Sequence, residues 1–498
     1  MVEGVSKPFP DDGTDRFRFL VVVSGITAYF DDPRLDRYVR WPPESSLWPA
    51  LPHHLAPDSF RGSPGPDQLL SRLDKLRRAI SLEQFIDMNG SPFSDGIKQT
   101  RNKVQRKIDD SAEALNKLSQ EIWSNPELAY RETHAHKVLT DFLEEEGFEV
   151  TREYHLKTAF KATFGGKAGI HVCVICEYDA LPEVGHASGH NLIAECGVAV
   201  GLGVKAVLEE PENSSVGRVT ILGTPAKESG GGKIDLIKAG AFEGVDVALM
   251  AHPFQSNMPK PICPASESMN VHFTGRAAHA ASGPWMGLNA LDAAVMFYNS
   301  VSVMRQQFKP DWRVHGTFIK AGDVSSSIPE ESELQLYLQT VDKEDAPKLR
   351  EKITQCAKGA AISTGCQVKC ECDGENSYAS LLTNNTLASL YERLAASLDV
   401  SCVPGEVTFS TDMGDVSRVV PSILVLYNIG TKAPSRSKAF LEAAGAPEAQ
   451  APTLQQAKAL AVTALDLMQP NGNTIVERIK REFNDHVGEK KKIDKIQE

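Results

Sequence analysis

The chain has 498 residues, 41% of them hydrophobic and 24% charged, with a formal net charge of -12. That length exceeds what one core supports, so two or three domains are expected, and the acidic excess argues against nucleic acid or an anionic membrane surface as a partner. Nine cysteines are few for the length and odd in number, which points to reduced thiols in the cytoplasm rather than a secreted disulfide framework.

Residues 1–95 are proline-rich, with clusters such as TrpProProGluSer and ArgGlySerProGlyProAsp, and read as a loosely ordered extension. Its one sustained apolar run, 19–30, is too short to span a bilayer and reads as a buried strand. Apolar residues then recur at helical spacing over about 98–124 and 131–147, with SerAsnProGlu between them, which predicts two helices and a turn.

Short β-rich runs and helical patterns alternate from there. Strands are expected at 170–176, 218–223 and 246–252, and helices at about 191–209 and 232–239. This alternation predicts a mainly parallel sheet covered by helices on both faces, an α/β fold. A different rhythm follows over 267–375: strands near 268–275, 312–320, 333–341 and 366–372, with helices near 287–308 and 345–363. Its βαββαβ order predicts a ferredoxin-like insert. The first domain, 96–266, then resumes over 376–498, with a strand near 422–428, a helix near 452–468 and a charged helical tail from 475. Cys173 and Cys176 form a CxxC, and Cys370 and Cys372 a CxC, but both lie in apolar strand-like runs without a second pair of ligands, so they read as core thiols.

CysGluTyrAspAlaLeuPro at 176–182 and GlyHisAlaSerGlyHisAsnLeuIleAlaGlu from 185 are followed by GlyGlyGlyLysIleAspLeuIle at 230–237 and MetAlaHisPro at 250–253. ProTrpMetGlyLeuAsnAlaLeuAspAlaAla at 284–294, TrpArgValHisGly at 312–316 and SerThrAspMetGlyAspValSer at 410–417 extend the series. Together these runs resemble the aminoacylase/carboxypeptidase-type zinc metallopeptidases and are most similar to the β-alanyl-lysine dipeptidase branch. The resemblance covers about 105–470. It implies a two-domain enzyme that hydrolyses an amide bond next to a free carboxylate with two zinc ions and a bridging water, an inserted lid domain, and a homodimer formed through that lid.

Position by position, the resemblance makes His190, Glu228 and His252 metal ligands, Asp179 the acidic residue beside the metals, and His279 the lid histidine that helps hold the reacting carbonyl. Thr411 falls in the matched run at 410–417 and is taken as a substrate-side residue.

Three positions depart. Ser188 stands where the family has a bridging cysteine, and a neutral hydroxyl is a poor zinc ligand. Lys227 stands where the family has its general base, and an ammonium of ordinary pKa accepts no proton at neutral pH. Arg436 stands where the last histidine ligand is expected, and no histidine lies between His315 and His486. In the lid, SerSerSerIlePro at 325–329 replaces a family asparagine before IlePro.

The expectation is therefore no dinuclear zinc site and at most one weakly bound divalent metal. Without those metals Glu177, Asp179 and Glu228 would crowd one cleft, and Lys227 and Arg436 are expected to relieve them. Three functions follow: a metal-independent enzyme for condensation, cyclisation or proton transfer on a small amide or amino-acid-derived substrate, a catalytically dead binding subunit, or a single-metal amidohydrolase. In the first, Lys227, Glu228, Asp179 and Ser188 are catalytic, and Arg436, His190, His252, His279 and Thr411 bind substrate.

Overall fold

The computed structural model describes residues 18–23, 26–31 and 95–497, apart from 215, 342–343, 406–408 and 470–471. The proline clusters of the first 94 residues lie outside the described residues. The chain divides into two units, 1–90 and 91–498. In the first, the apolar run predicted as one strand is two, β1 (Arg18–Val23) and β2 (Ile26–Asp31), paired antiparallel from Arg18 with Asp31 to Val23 with Ile26.

The second unit opens with α1 (Asp95–Asp110), α2 (Ala112–Ser124) and α3 (Thr133–Glu145). The single helix expected over 98–124 is thus interrupted at Ser111, whose ψ of 0 departs from helical values. Asp110 and Ser111 are residue types whose side chains compete for backbone hydrogen bonds.

The central sheet holds β3 (Glu149–Arg152), β4 (Phe160–Gly165), β5 (Ile170–Cys176), β6 (Gly217–Gly223), β7 (Val247–Phe254) and β14 (Ser422–Asn428), in the order β14-β7-β5-β6-β4-β3. Strands β14, β7, β5 and β6 are mutually parallel, and β4 and β3 are antiparallel at one edge. The parallel strands are buried along almost their whole length, as a sheet covered on both faces requires. Val172 and Val174 face one core, and Cys173 and Ile175 the other.

Through the first core runs α4 (His190–Leu208), every residue of which is buried. It lies so close to the sheet that a Cβ at Gly197 would stand 2.3 Å from Cys176 Sγ, and one at Gly201 would stand 2.2 Å from Ile221 Cδ1. The second face carries α5 (Gly232–Lys238) and the short α9 (Met413–Val416). Behind α4 lie α8 (Asn385–Ala396), α10 (Lys438–Gly445) and α11 (Gln450–Met468), and α12 (Gly472–Gln497) ends the chain.

The insert has its own core. Strands β8 (Ala265–Thr274), β10 (Arg313–Lys320), β12 (Glu331–Thr340) and β13 (Gln367–Tyr378) form an antiparallel sheet in the order β10-β12-β8-β13. Helices α6 (Ala290–Met304) and α7 (Asp345–Thr364) complete the βαββαβ order. A small ladder joins β9 (Ala278–His279) to β11 (Ser327–Ile328), so His279 is directly opposite Ser327.

Candidate active site

The polar residues converge where the parallel strands end. Glu177 and Asp179 follow β5, Lys227 and Glu228 follow β6, His252 lies near the end of β7, and Arg436 is on the loop after β14. Carboxyl ends of strands are where an open α/β sheet forms its cleft.

Two left-handed residues aim the cations. Ala226 has φ +58 and Arg436 φ +67, a region that costs a non-glycine residue about 1–2 kcal/mol. The turn at Ala226 is held by the buried Glu132, whose Oε1 accepts the Ala226 N–H at 2.8 Å, and by Gly231 N–H donating to Ala226 O at 2.9 Å. Tyr130 clasps the far side of the same turn, donating through its hydroxyl to Gly230 O at 3.1 Å and Asp235 Oδ2 at 2.8 Å. Arg436 is held by its own N–H, which donates to Ala187 O at 2.9 Å.

Glu228 is the centre of the group. Its Oε1 accepts from the Ser188 hydroxyl, its Oε2 accepts from Arg436 Nη2 at 2.6 Å, and Lys227 Nζ stands 3.6 Å from Oε2. Its backbone N–H donates to Asp179 Oδ2 at 2.7 Å. Burial by itself would raise the Glu228 carboxyl, but Lys227, His190, Arg436 and the Ser188 hydrogen bond outweigh it and hold the group well below the usual carboxylate range. Lys227 is almost fully buried, yet Glu228 and Glu177 overcome that desolvation and raise its pKa, so it is an ammonium.

Next to this lies a drier group. His190 is fully buried, with Nδ1 2.9 Å from Asp179 Oδ1 and Nε2 3.5 Å from Glu177 Oε2. Desolvation opposes its charge, but Asp179, Glu177 and Glu228 raise its pKa. His252 is pushed down to about 4, by burial first and then by the Lys227 charge. Its Nδ1 donates to Pro253 O at 2.8 Å, which leaves Nε2 as an acceptor. Phe409 covers it, with ring centroids 5.3 Å apart.

Glu177 depends less on Lys227 than the sequence suggested, and first on another cation. The fully buried Lys233 donates to Glu177 Oε1 at 2.5 Å and to Asp412 Oδ1 at 2.8 Å. Desolvation opposes charge on both Glu177 and Lys233, but each partner's field prevails, lowering Glu177 and raising Lys233. The signal for Lys233 was present in GlyGlyGlyLys. It went unread because a lysine opening a short helix looks like a solvated one.

Ser188, Lys227, Glu228 and Arg436 thus form one contact group, and Asp179, His190 and His252 adjoin it. His279 is on the exposed lid ladder, where its Nδ1 accepts from Ala281 N–H at 3.1 Å and Ser282 N–H at 3.2 Å. Thr411 is buried with Oγ1 accepting from Met413 N–H at 3.2 Å, so its hydroxyl is used in the turn that positions Asp412. A lid-side group reaches the cleft elsewhere: Tyr378, at the end of β13, donates to Lys227 O at 3.2 Å.

The donor set does not fit a pair of bridged zinc ions. Both Glu228 oxygens already accept from protein donors, Ser188 offers no charge as a bridge, and a guanidinium at Arg436 cannot ligate. Four acidic side chains, Glu177, Asp179, Glu228 and Asp412, already meet Lys227, Lys233, Arg436 and a His190 that favours its charged form. A three-ligand group does exist: ligand atoms of Glu177, His190 and His252 all lie within 4.8 Å of one another.

Fold and site together define a metallopeptidase architecture, and residues 266–364 match the peptidase dimerisation domain. The Xaa-Arg dipeptidase of Mus musculus is 42% identical over 410 residues, covering 79% of this chain and 94% of the relative. The Homo sapiens Xaa-Arg dipeptidase is 44% identical, covering 76% and 90%. In fold, a dinuclear metal-binding M20 peptidase from Bacillus subtilis superposes with a TM-score of 0.57 at 21% identity, covering 72% of this chain and 99% of that one. The chain belongs to the M20 peptidase family.

Proposed function

We propose that the chain is an enzyme acting on a small amide or amino-acid-derived substrate, that it works without paired metal ions, and that its reaction is condensation, cyclisation or proton transfer rather than hydrolysis. One observation carries this reading: Glu228, the family's ligand, is held by Ser188 and Arg436 with Lys227 beside it. Hydrolysis in this family depends on a water acidified by metal, and nothing in the Lys227–Glu228–Arg436 group supplies an equivalent. A buried ammonium and an exposed guanidinium beside Glu228 are suited instead to stabilising a developing oxyanion or gripping a carboxylate. The substrate class is supported by the relatives named as Xaa-Arg dipeptidases and by a p-aminobenzoyl-glutamate hydrolase component of Escherichia coli, which is 30% identical.

The test is metal analysis of the purified protein, combined with product analysis on Xaa-Arg dipeptides, β-alanyl dipeptides and N-acyl amino acids, with and without chelator. The expected result is no stoichiometric zinc and chelator-resistant turnover. Two equivalents of tightly held zinc with chelator-sensitive hydrolysis would sink the reading. A second reading, one-metal hydrolysis, is favoured by Glu177 Oε2 and His190 Nε2, which are buried without hydrogen-bond partners. It requires one equivalent of metal and loss of activity on chelation.

The insert is further proposed to pair two copies of the chain through edge strand β10 and helix α6, where Val303, Ile319, Met296 and Phe318 are exposed. All nine cysteines are free thiols, which supports a reducing, cytoplasmic location.

A further inference from the structure

We infer that Lys227 stands in for a cation and keeps latent a three-ligand metal site formed by Glu177, His190 and His252. The inference rests on the metal-independent reading above and adds to it the residue that enforces it. Glu177 has no counterpart among the ligands the family resemblance supplied.

Each of the three ligands is already anchored by its outer atom. His190 Nδ1 is on Asp179 at 2.9 Å, His252 Nδ1 is on Pro253 O at 2.8 Å, and Glu177 Oε1 is on Lys233 at 2.5 Å. Outer hydrogen bonds of this kind fix ring orientation and tautomer in metal-ligating histidines. The inner atoms lack hydrogen-bond partners: His190 Nε2 and Glu177 Oε2 are buried 3.5 Å apart, with Glu228 Oε1 3.6 Å from the same nitrogen, so a metal entering here displaces the His190 proton. Two nitrogens and a carboxylate oxygen on nearly inaccessible side chains are the ligand types of a mononuclear zinc or cobalt site.

What opposes a metal there is charge. The Lys227 field reaches Glu177 and His252 directly, and Glu177 in turn acts on Lys227. Lys227 Nζ is also 5.9 Å from the centre of the Phe409 ring that packs on His252. An ammonium fixed at this depth repels a divalent ion far more strongly than one in water would. Ser188 and Arg436 satisfy Glu228 independently, so the loss of Lys227 leaves that carboxylate paired.

The experiment is a Co²⁺ titration of the full chain, read by the visible d–d absorption of low-coordinate cobalt and by the shift in thermal unfolding midpoint. Wild type is compared with Lys227→Met and with Lys227→Met/His252→Ala. The expected result is one equivalent bound by Lys227→Met, tighter than wild type by on the order of 10²-fold or more, and lost in the double variant. Lys227→Gln is read in the same way should the methionine variant fail to fold. No cobalt binding by folded Lys227 variants overturns this inference and leaves the metal-independent reading standing. One equivalent bound tightly by wild type overturns this inference and favours the one-metal reading of the function instead.

Discussion

Glu228 and Glu177 are both buried carboxylates, yet their supporting cations differ in depth, and the difference predicts two different mutational costs. Lys233 is fully buried between Glu177 and Asp412, so Lys233→Met removes the cation that two buried acids share. A loss of about 3–5 kcal/mol is expected in urea denaturation. The Arg436 side chain is 61% exposed; Arg436→Ala should cost about 1 kcal/mol or less in the same assay while abolishing turnover. Glu195 offers a pH test. Burial first, against weaker hydrogen bonds from Ser119 and Gln450, pushes its carboxyl from 4.5 up to about 8. The folded state therefore keeps a proton that the unfolded chain releases above about pH 4.5, and stability falls as pH rises from there to about 8. Glu195→Gln should remove a decline on the order of a few kcal/mol over that window, seen as a flatter plot of unfolding free energy against pH. Among these residues, Ser188, Lys227 and Arg436 were legible because long flanking runs place them against known ligand positions. The Lys233 pairing was not, since its partners lie 56 and 179 positions away and no local pattern reports such a distance.

The turn that carries Lys227 and Glu228 is confined by the Pro225 backbone on one side and the Tyr130 ring on the other. A Cβ at Gly232 would meet Pro225 O at 2.1 Å, and a carbonyl cannot rotate away as a side chain can. Gly232→Ala is expected to lower the unfolding midpoint and to remove turnover together, by displacing the turn. Gly359, by contrast, lies in α7 with nothing within 4 Å of the added carbon. Gly359→Ala should raise stability by roughly 0.5–1 kcal/mol through helix propensity, and differential scanning calorimetry of the two variants distinguishes the cases. At this scale the sequence was informative about the parallel strands, which are continuous apolar runs, and about α4, whose small residues announce close packing. It was less informative about β1 and β2, where one apolar run conceals two paired strands, and about the break at Ser111, because periodicity counts faces and does not register a single residue out of phase.

At the scale of the molecule, one group of exposed apolar residues lies where α6 meets β10, with the Tyr298 and Phe318 ring centroids 5.8 Å apart. Val303 is 75% and Ile319 56% exposed, on α6 and edge strand β10. A clustered patch of this kind on a free sheet edge is an association surface or an aggregation risk. The paired substitution Val303→Asp/Ile319→Lys should convert a dimer to a monomer in multi-angle light scattering, with unchanged circular dichroism. A dimer that persists in that variant places the interface elsewhere.

The Lys233–Asp412 pair also bears on how the chain assembles. Its two residues are separated by 179 positions, and between them lies the whole insert, from β8 to β13. Closing so long a flexible loop carries an entropy cost that grows with its length. Yet Ser266, near the start of the insert, is a ladder partner of Tyr378 at its end, so an insert that folds first brings its own entry and exit side by side. The remaining closure then spans the stretches 233–266 and 378–412 instead of the whole separation. The lid thus acts as a folded staple within the chain, and substitutions that loosen its sheet should slow refolding of the α/β domain even though they lie far from the cleft.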